Sequence, residues 1–305
     1  MLRTALLWAS TNPFLAERLP RYGFVRRAVR RFMPGEEPAD ALREGARLGS
    51  DGVPTLITCL GENVDSEQAA VRVTDEYLAV AESIRAAGLD MELSIKLTHL
   101  GLDQGVGLAA RNLQRLAAAT DGVVWVDMES SAYVDRTLDV WREARALHEN
   151  VGICLQACLY RTERDYEELL PDQPHIRLVK GAYQEPPTVA MPKKSEVDEA
   201  YRRLAVRMIR ERKEGLMGRP AIATHDGRLI AEAQRAAFET GLAPDRWEVA
   251  MLYGIGEAEQ QRLVRGATPL RVLVSYGTHW FPWYMRRLAE RPANVGFVLR
   301  QMVTR

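Results

Sequence analysis

Eight short apolar runs rich in β-branched residues recur along this chain, each followed by a helical pattern. The runs fall at 53–58 (VPTLIT), 91–97 (MELSIKL), 123–128 (VVWVDM), 151–158 (VGICLQAC), 176–182 (IRLVKGA), 220–224 (PAIAT), 247–252 (WEVAML) and 270–274 (LRVLV). Amphipathic patterns occupy 66–87, 104–119, 131–148, 163–170, 196–215, 227–240 and 257–265, and the last run leads into 279–290. Near-continuous apolar strands alternating with amphipathic helices indicate parallel strands covered by helices. Eight such units in about 250 residues match a (β/α)8 TIM barrel of the α/β class. A doubly wound open sheet competes, but no glycine-rich dinucleotide fingerprint follows the first run.

Ahead of these units, residues 1–33 hold seven arginines and one acid, with apolar residues at helical spacing (Leu15, Leu19, Phe24, Val25, Val29, Phe32). Pro34 and Gly35 close this segment, which divides the chain into an N-terminal helical arm (1–35) and a barrel domain (36–305). Two uses are open to the arm: packing on the barrel, or a weak peripheral contact with an anionic membrane surface. Across the whole chain 41 basic and 41 acidic residues cancel, so nucleic acid is not expected as a partner. No apolar run reaches the ~20 residues of a membrane span, and no signal peptide is evident. Three cysteines (Cys59, Cys154, Cys158) are too few for a disulfide framework. The expected setting is the reducing cytoplasm, with any membrane contact on the inner face.

In such a barrel, chemistry sits where strands end and βα loops begin. Here those ends are polar on successive strands: Lys96, then Asp127 and Glu129, then Gln156. Next come Arg177, Lys180 and Tyr183 around Gly181-Ala182, then Thr224-His225-Asp226, then Leu252-Tyr253-Gly254. One charged strand end is ordinarily just solvated; five in a row indicate a ligand site. No HExxH, clustered Asp/His spacing or GxSxG elbow is present, so neither a metal nor a serine triad is expected. Cys154 and Cys158 read as small packing residues.

The segment 276–294 (YGTHWFPWYMRRLAERPAN) differs in kind. Aromatic residues run directly into Arg286-Arg287, and Glu290 stands one turn beyond Arg286, where an ion pair can fix the arginine. Two adjacent guanidinium groups suit a carboxylate, which each can meet with parallel donors. The flanking Trp280, Phe281, Trp283 and Tyr284 argue against a purely solvated face.

Seven segments together resemble the proline dehydrogenase family, in its short monofunctional bacterial form. They are SIKLTHLG (94–101), VWVDMESS (124–131), LQACLYRTE (155–163), RLVKGAYQEP (177–186), ATHDGRLI (223–230), MLYGIGE (251–257) and YMRRLAERPAN (284–294). The resemblance implies a distorted barrel that binds FAD non-covalently, with the last helix displaced over the barrel mouth. It implies oxidation of L-proline to 1-pyrroline-5-carboxylate by hydride transfer to flavin N5, and a quinone as electron acceptor. Carried over by position, Arg286, Arg287 and Lys96 would hold the substrate carboxylate. Glu290 would pair with the arginines, and Asp127 would support the site beside the flavin. Arg177 would approach N5, and Gln156 would bond the isoalloxazine. Lys180, Gly181, Ala182, Lys194, Thr224 and His225 would serve the ribityl, pyrophosphate and adenosine parts. Tyr183 and Leu252 would line the substrate pocket.

The chain departs from the family pattern in that pocket. Leu273 and Ser275 stand within VLVSYG where the family has VYVPYG, and Trp283 and Cys158 replace tyrosines. WEVA (247–250) replaces FEFQ. These changes open an alternative substrate, a differently shaped carboxylated amine such as a substituted proline or another secondary amine. An amino-acid sensor without catalysis is the alternative of a different class; the retained flavin pattern at Arg177, Gln156 and Thr224-His225 argues against it.

Overall fold

Each apolar run becomes one strand of a closed, all-parallel ring in the order β1 to β8. The strands are β1 (Thr55–Cys59), β2 (Met91–Ile95), β3 (Val124–Val126), β4 (Val151–Gln156), β5 (His175–Val179), β6 (Pro220–Ala223), β7 (Glu248–Leu252) and β8 (Leu270–Tyr276). The computed structural model describes residue 6, residues 8–10 and residues 12–290. Ring closure is by β8 against β1, with Leu56 beside Leu273 and Thr58 beside Ser275.

Alternation along the strands sorts side chains to two faces. One face, including Ile57, Leu93, Val126, Ile153, Val249 and Val272, joins the helices in the main core. The other fills the barrel in layers. Leu56, Trp125, Ala221 and Leu273 form a small apolar layer across the middle. Toward the base of the same face stand Arg271 and Arg219, two residues before Leu273 and Ala221, with Glu92 and Glu248 beside them. Arg271 Nε donates to Glu248 at 3.1 Å, and Trp125 Nε1 donates to Glu92 at 2.7 Å. Arg219 Nη2 meets both Glu92 oxygens, at 2.5 and 2.6 Å. Burial raises the pKa of Glu92, but Arg271 and Arg219 outweigh it and hold the carboxyl below its ordinary range. At Glu248 burial wins and the pKa rises.

The helices are α1 (Pro13–Arg18) and α2 (Gly23–Val29) in the arm, then α3 (Pro38–Ser50), α4 (Glu67–Ala86), α5 (Val106–Ala119) and α6 (Val134–Arg145). They continue as α7 (Thr162–Leu169), α8 (Lys194–Lys213), α9 (Gly227–Thr240), α10 (Glu257–Arg265) and α11 (Trp280–Glu290). The sequence patterns give no helix at Pro38–Ser50, yet α3 is well formed: proline starts it, and Glu37 and Asp40 make a reciprocal capping box. Its buried face, Ala41, Gly45 and Leu48, packs on β1 and β8. That position is the one a helix following β8 would normally take.

Instead α11 lies across the mouth. Its Trp280, Phe281, Trp283, Tyr284, Met285 and Leu288 form a second core with Val25, Val29, Phe32 and Met33 of the arm. The arm's end is seated by backbone contact: Gly254 has φ +68°, and a Cβ there would overlap the Arg31 carbonyl. Trp280 Nε1 donates to Glu36 at 2.9 Å, and Gly277 N–H donates to the Glu36 carbonyl.

The charged layer at the barrel base yields a stability test. Glu92→Leu would strip the half-buried Arg219 of its close carboxylate and leave the buried Arg271 with Glu248 and Asp90, at an expected cost of about 3 kcal/mol in urea unfolding at neutral pH. Glu92 has a lowered pKa in the folded chain, so its contribution is present above its ordinary value of 4.5 and fades as pH falls below it. The gap between wild type and variant should therefore narrow in acid.

Candidate active site

The layer above Trp125 is polar and faces the mouth. Lys96 stands just past β2, Asp127 just past β3, and Arg177 within β5. Lys96 Nζ pairs with Asp127 Oδ2 at 2.9 Å, while Arg177 Nη2 pairs with Asp127 Oδ1. Ser94 Oγ accepts from Arg177 Nη2 at 2.8 Å and donates to Asp127 at 3.0 Å. Arg177 Nε donates to Cys154 Sγ at 2.8 Å, so this cysteine does more than pack. Burial alone would raise the pKa of Asp127, but Lys96 and Arg177 hold it down at about 2. Burial works against the Lys96 charge as well, and Asp127 overcomes it, so the ammonium persists. One carboxylate thus serves two cations, leaving one positive charge in surplus. Arg177 Nη1 is buried without a hydrogen-bond partner among the described residues.

A second group comes from the lid. Arg286 Nη1 and Nη2 donate to the two oxygens of Glu62 at 2.9 and 3.3 Å. Its guanidinium also lies 5.3 Å from the centre of the Tyr183 ring. Burial would raise the Glu62 pKa, and Arg286 outweighs it. Glu62 follows β1 and was absent from the strand ends considered in the sequence, although the same rule applied to the first run would have found it. Its electrostatic reach extends to Lys96, so lid and barrel groups converge. Arg287 is half-buried beside Arg286. The expected Arg286–Glu290 pair involves a side chain outside the described residues.

On the far side of the mouth, Lys180 Nζ pairs with Asp198 at 2.6 Å and Asp226 at 3.3 Å. Lys194 also pairs with Asp198. Between them and the centre, Gly181 has φ +116°, and a Cβ there would strike Cys158 Sγ and lie 3.4 Å from Gln156 Oε1. Ala182 is half-buried next to it. Gln156 Nε2 donates to the Glu129 carbonyl at 2.8 Å. Thr98 donates to both Glu129 oxygens, from N at 3.1 Å and Oγ1 at 2.6 Å. Burial nonetheless pushes the Glu129 carboxyl up to about 6. His225 Nε2 accepts from Leu252 N–H at 3.3 Å, and Thr224 Oγ1 accepts from Asp226 N–H at 3.1 Å. Leu273 packs against the barrel's middle apolar layer, whereas Trp283 is buried in the core shared with the arm.

Among the described residues no group of three His, Cys, Asp or Glu side chains is placed to hold a metal ion. No described helix is long and apolar enough to cross a membrane.

A family model described as "Proline dehydrogenase" matches residues 41–300. The chain is 36% identical to proline dehydrogenase 2 of Bacillus subtilis strain 168 over 304 residues, covering 98% of both. It is 35% identical to the proline dehydrogenase of Deinococcus radiodurans over 311 residues, covering 99% of this chain and 98% of that one. Among solved structures, proline utilization A (PutA) from Bdellovibrio bacteriovorus, inactivated by N-propargylglycine, shares the fold. The TM-score is 0.81 at 22% identity, over 95% of this chain and 36% of that longer protein. With the barrel, the displaced lid helix and these matches together, the chain belongs to the proline dehydrogenase family, whose members are oxidoreductases.

Proposed function

We propose that this chain oxidises L-proline to 1-pyrroline-5-carboxylate, using non-covalent FAD and passing electrons to a quinone. The observation that carries the reading is the convergence of Lys96 and the lid's Arg286 on one mouth, beside Arg177 on its shared carboxylate. Cations meet a carboxylate, and the half-buried Leu252 and Tyr183 supply a wall for a ring.

The residues also fit a flavin. Arg177 Nη1 is a buried donor awaiting an acceptor. The positive φ of Gly181, where a Cβ has no room, lets backbone 180–182 come close to a ligand. Gln156, Arg177, Lys180, Lys194, Thr224 and His225 would hold its ring, ribityl, pyrophosphate and adenosine parts, with Asp127 and Ala182 beside them. Bound FAD would supply the hydride acceptor for oxidising the substrate C–N bond to C=N, with a quinone as the final electron acceptor.

The chain's own residues supply position and charge. Glu62 takes two of the five N–H groups of Arg286, which leaves donors for the substrate carboxylate, and Arg287 would add its own. The surplus positive charge around Asp127 favours negative charge developing nearby in a site screened from water. Glu290 would steady the arginines from the end of the lid. On the outer surface, Trp8, Phe14 and Tyr22 are exposed together with Arg18, Arg27 and Arg30 of the arm. This pairing of aromatic and cationic groups supports a peripheral contact with an anionic membrane, where a quinone resides.

The altered pocket positions have structural uses: Leu273 fills the barrel's middle layer and Trp283 fills the lid core. That favours L-proline over a differently shaped amine.

Four outcomes are expected. The purified protein should be yellow and release intact FAD on heating, and Gly181→Ala should lower its FAD content at equal folded yield; a colourless wild type that takes up no added FAD refutes the cofactor. Arg286→Lys keeps the charge but loses the fork, so kcat/KM for L-proline should fall by about 2–4 kcal/mol in barrier terms, with FAD retained. Anaerobic flavin bleaching should favour L-proline over 4-hydroxyproline, pipecolate and N-alkyl amino acids. Restoring Leu273→Tyr and Trp283→Tyr together should leave kcat/KM for L-proline within about threefold; a rise of about tenfold, ~1.4 kcal/mol, would point to the differently shaped amine.

A further inference from the structure

Trp125 stands between the two layers that carry arginine. It is fully buried at the centre of the barrel. The Arg177 guanidinium lies 5.4 Å from its ring centre, and that of Arg219, from the layer beneath, lies 5.6 Å away. Both distances are within the range of cation–π attraction, which strengthens when the cation is desolvated. The indole is fixed in turn: Nε1 donates to Glu92, and Glu92 is gripped by Arg219. On the neighbouring strand Gly152 makes room for it, since a Cβ there would come within 2.7 Å of the indole.

Arg177 needs such support. Its bonds to Asp127, Ser94 and Cys154 run from Nη2 and Nε, and Asp127 is shared with Lys96. The guanidinium is therefore incompletely neutralised and incompletely bonded, and Nη1 has no partner among the described residues. We propose that Trp125 is a positioning residue for Arg177: its π face, anchored through Glu92 to the charged base of the barrel, sets the place of the guanidinium beside the flavin. The proposal rests on the reading that Arg177 lies next to the flavin ring. A hydrophobic strand residue with no contact to substrate thereby tunes the electrostatics of the reaction.

The test uses FAD-loaded enzyme and reads the flavin reduction potential, kcat and KM separately, and thermal stability. Trp125→Leu should disfavour reduced flavin about tenfold, which is about 30 mV for two electrons. It should lower kcat to a similar degree while KM for L-proline stays within about threefold, because Lys96 and Arg286 are untouched. Trp125→Phe, which keeps a π face, should recover most of the potential. Loss of thermal stability in Trp125→Leu with an unchanged potential and kcat would show a packing role alone and overturn the proposal. Arg177→Met separates the two levels. If it shifts the potential and Trp125→Leu does not, the placement of Arg177 stands and the role of Trp125 falls. If Arg177→Met leaves the potential unchanged, the placement of Arg177 fails and the proposal with it. Should Trp125→Leu not fold, Gly152→Ala displaces the indole without removing it, and an unchanged potential in that variant overturns the proposal.

Discussion

Eight parallel strands closed into a ring leave an interior that side chains alone must fill, and no charge placed there can rely on water. Every ionised group inside must find its partner in its own layer or the next. This chain meets that constraint with two charged layers separated by a thin apolar one. At the base, Glu92 and Glu248 face Arg219 and Arg271. At the top, Lys96 and Arg177 share Asp127. The base is balanced by its own carboxylates, with Asp90 also meeting Arg271 at 2.9 Å. The upper layer has one carboxylate for two cations and opens to the mouth, so its unmet charge is available to a ligand. The same barrel thus holds one balanced ion cluster and one with an unmet positive charge, and the difference between them is stoichiometry.

Moving the last helix to the mouth has a structural cost and a functional return. The gap it leaves beside β8 and β1 is filled by α3, whose small buried face suits a position against two strands. The helix itself packs on the barrel mouth, at Leu60 and Ile255, and on the arm, with Trp280 and Tyr284 near edge-on at 6.3 Å and Phe32 against Tyr284 at 5.8 Å. This second core is separate from the one between strands and helices. Arg286 is thus placed in part by residues that precede the first strand.

How much of this was legible in the sequence follows from the range of each signal. The strands and most helices announce themselves by local periodicity, and Lys96, Asp127 and Arg177 stand out as polar residues ending apolar runs. Helix α3 is strongly amphipathic, but its core face is Ala41, Gly45 and Leu48, and so small a stripe stands out less than one of large apolar residues. Asp198, which holds Lys180 and Lys194, sits in a helix crowded with charges where nothing distinguishes it. Glu62 meets Arg286 across 224 positions, and no local pattern reports a pairing of that span. Trp125 was invisible for the opposite reason. It looks like any buried strand residue until the fold puts a guanidinium near it from each adjoining layer.

The charge balance at the mouth links these parts. Lys96, Arg177 and Arg286 are matched in number by Asp127, Glu62 and Glu129, but the carboxylates are not equivalent. Asp127 is held at about 2 and Glu62 below its ordinary range, so both stay ionised at any physiological pH. Glu129 lies within electrostatic reach of Lys96, Tyr183 and Arg286, yet burial lifts it to about 6. An arriving carboxylate adds a negative charge to this group and raises the proton affinity of its weakest acid, which is Glu129. The donors left on Arg286 would meet such an anion without disturbing the Asp127 pairs that hold Arg177 in place.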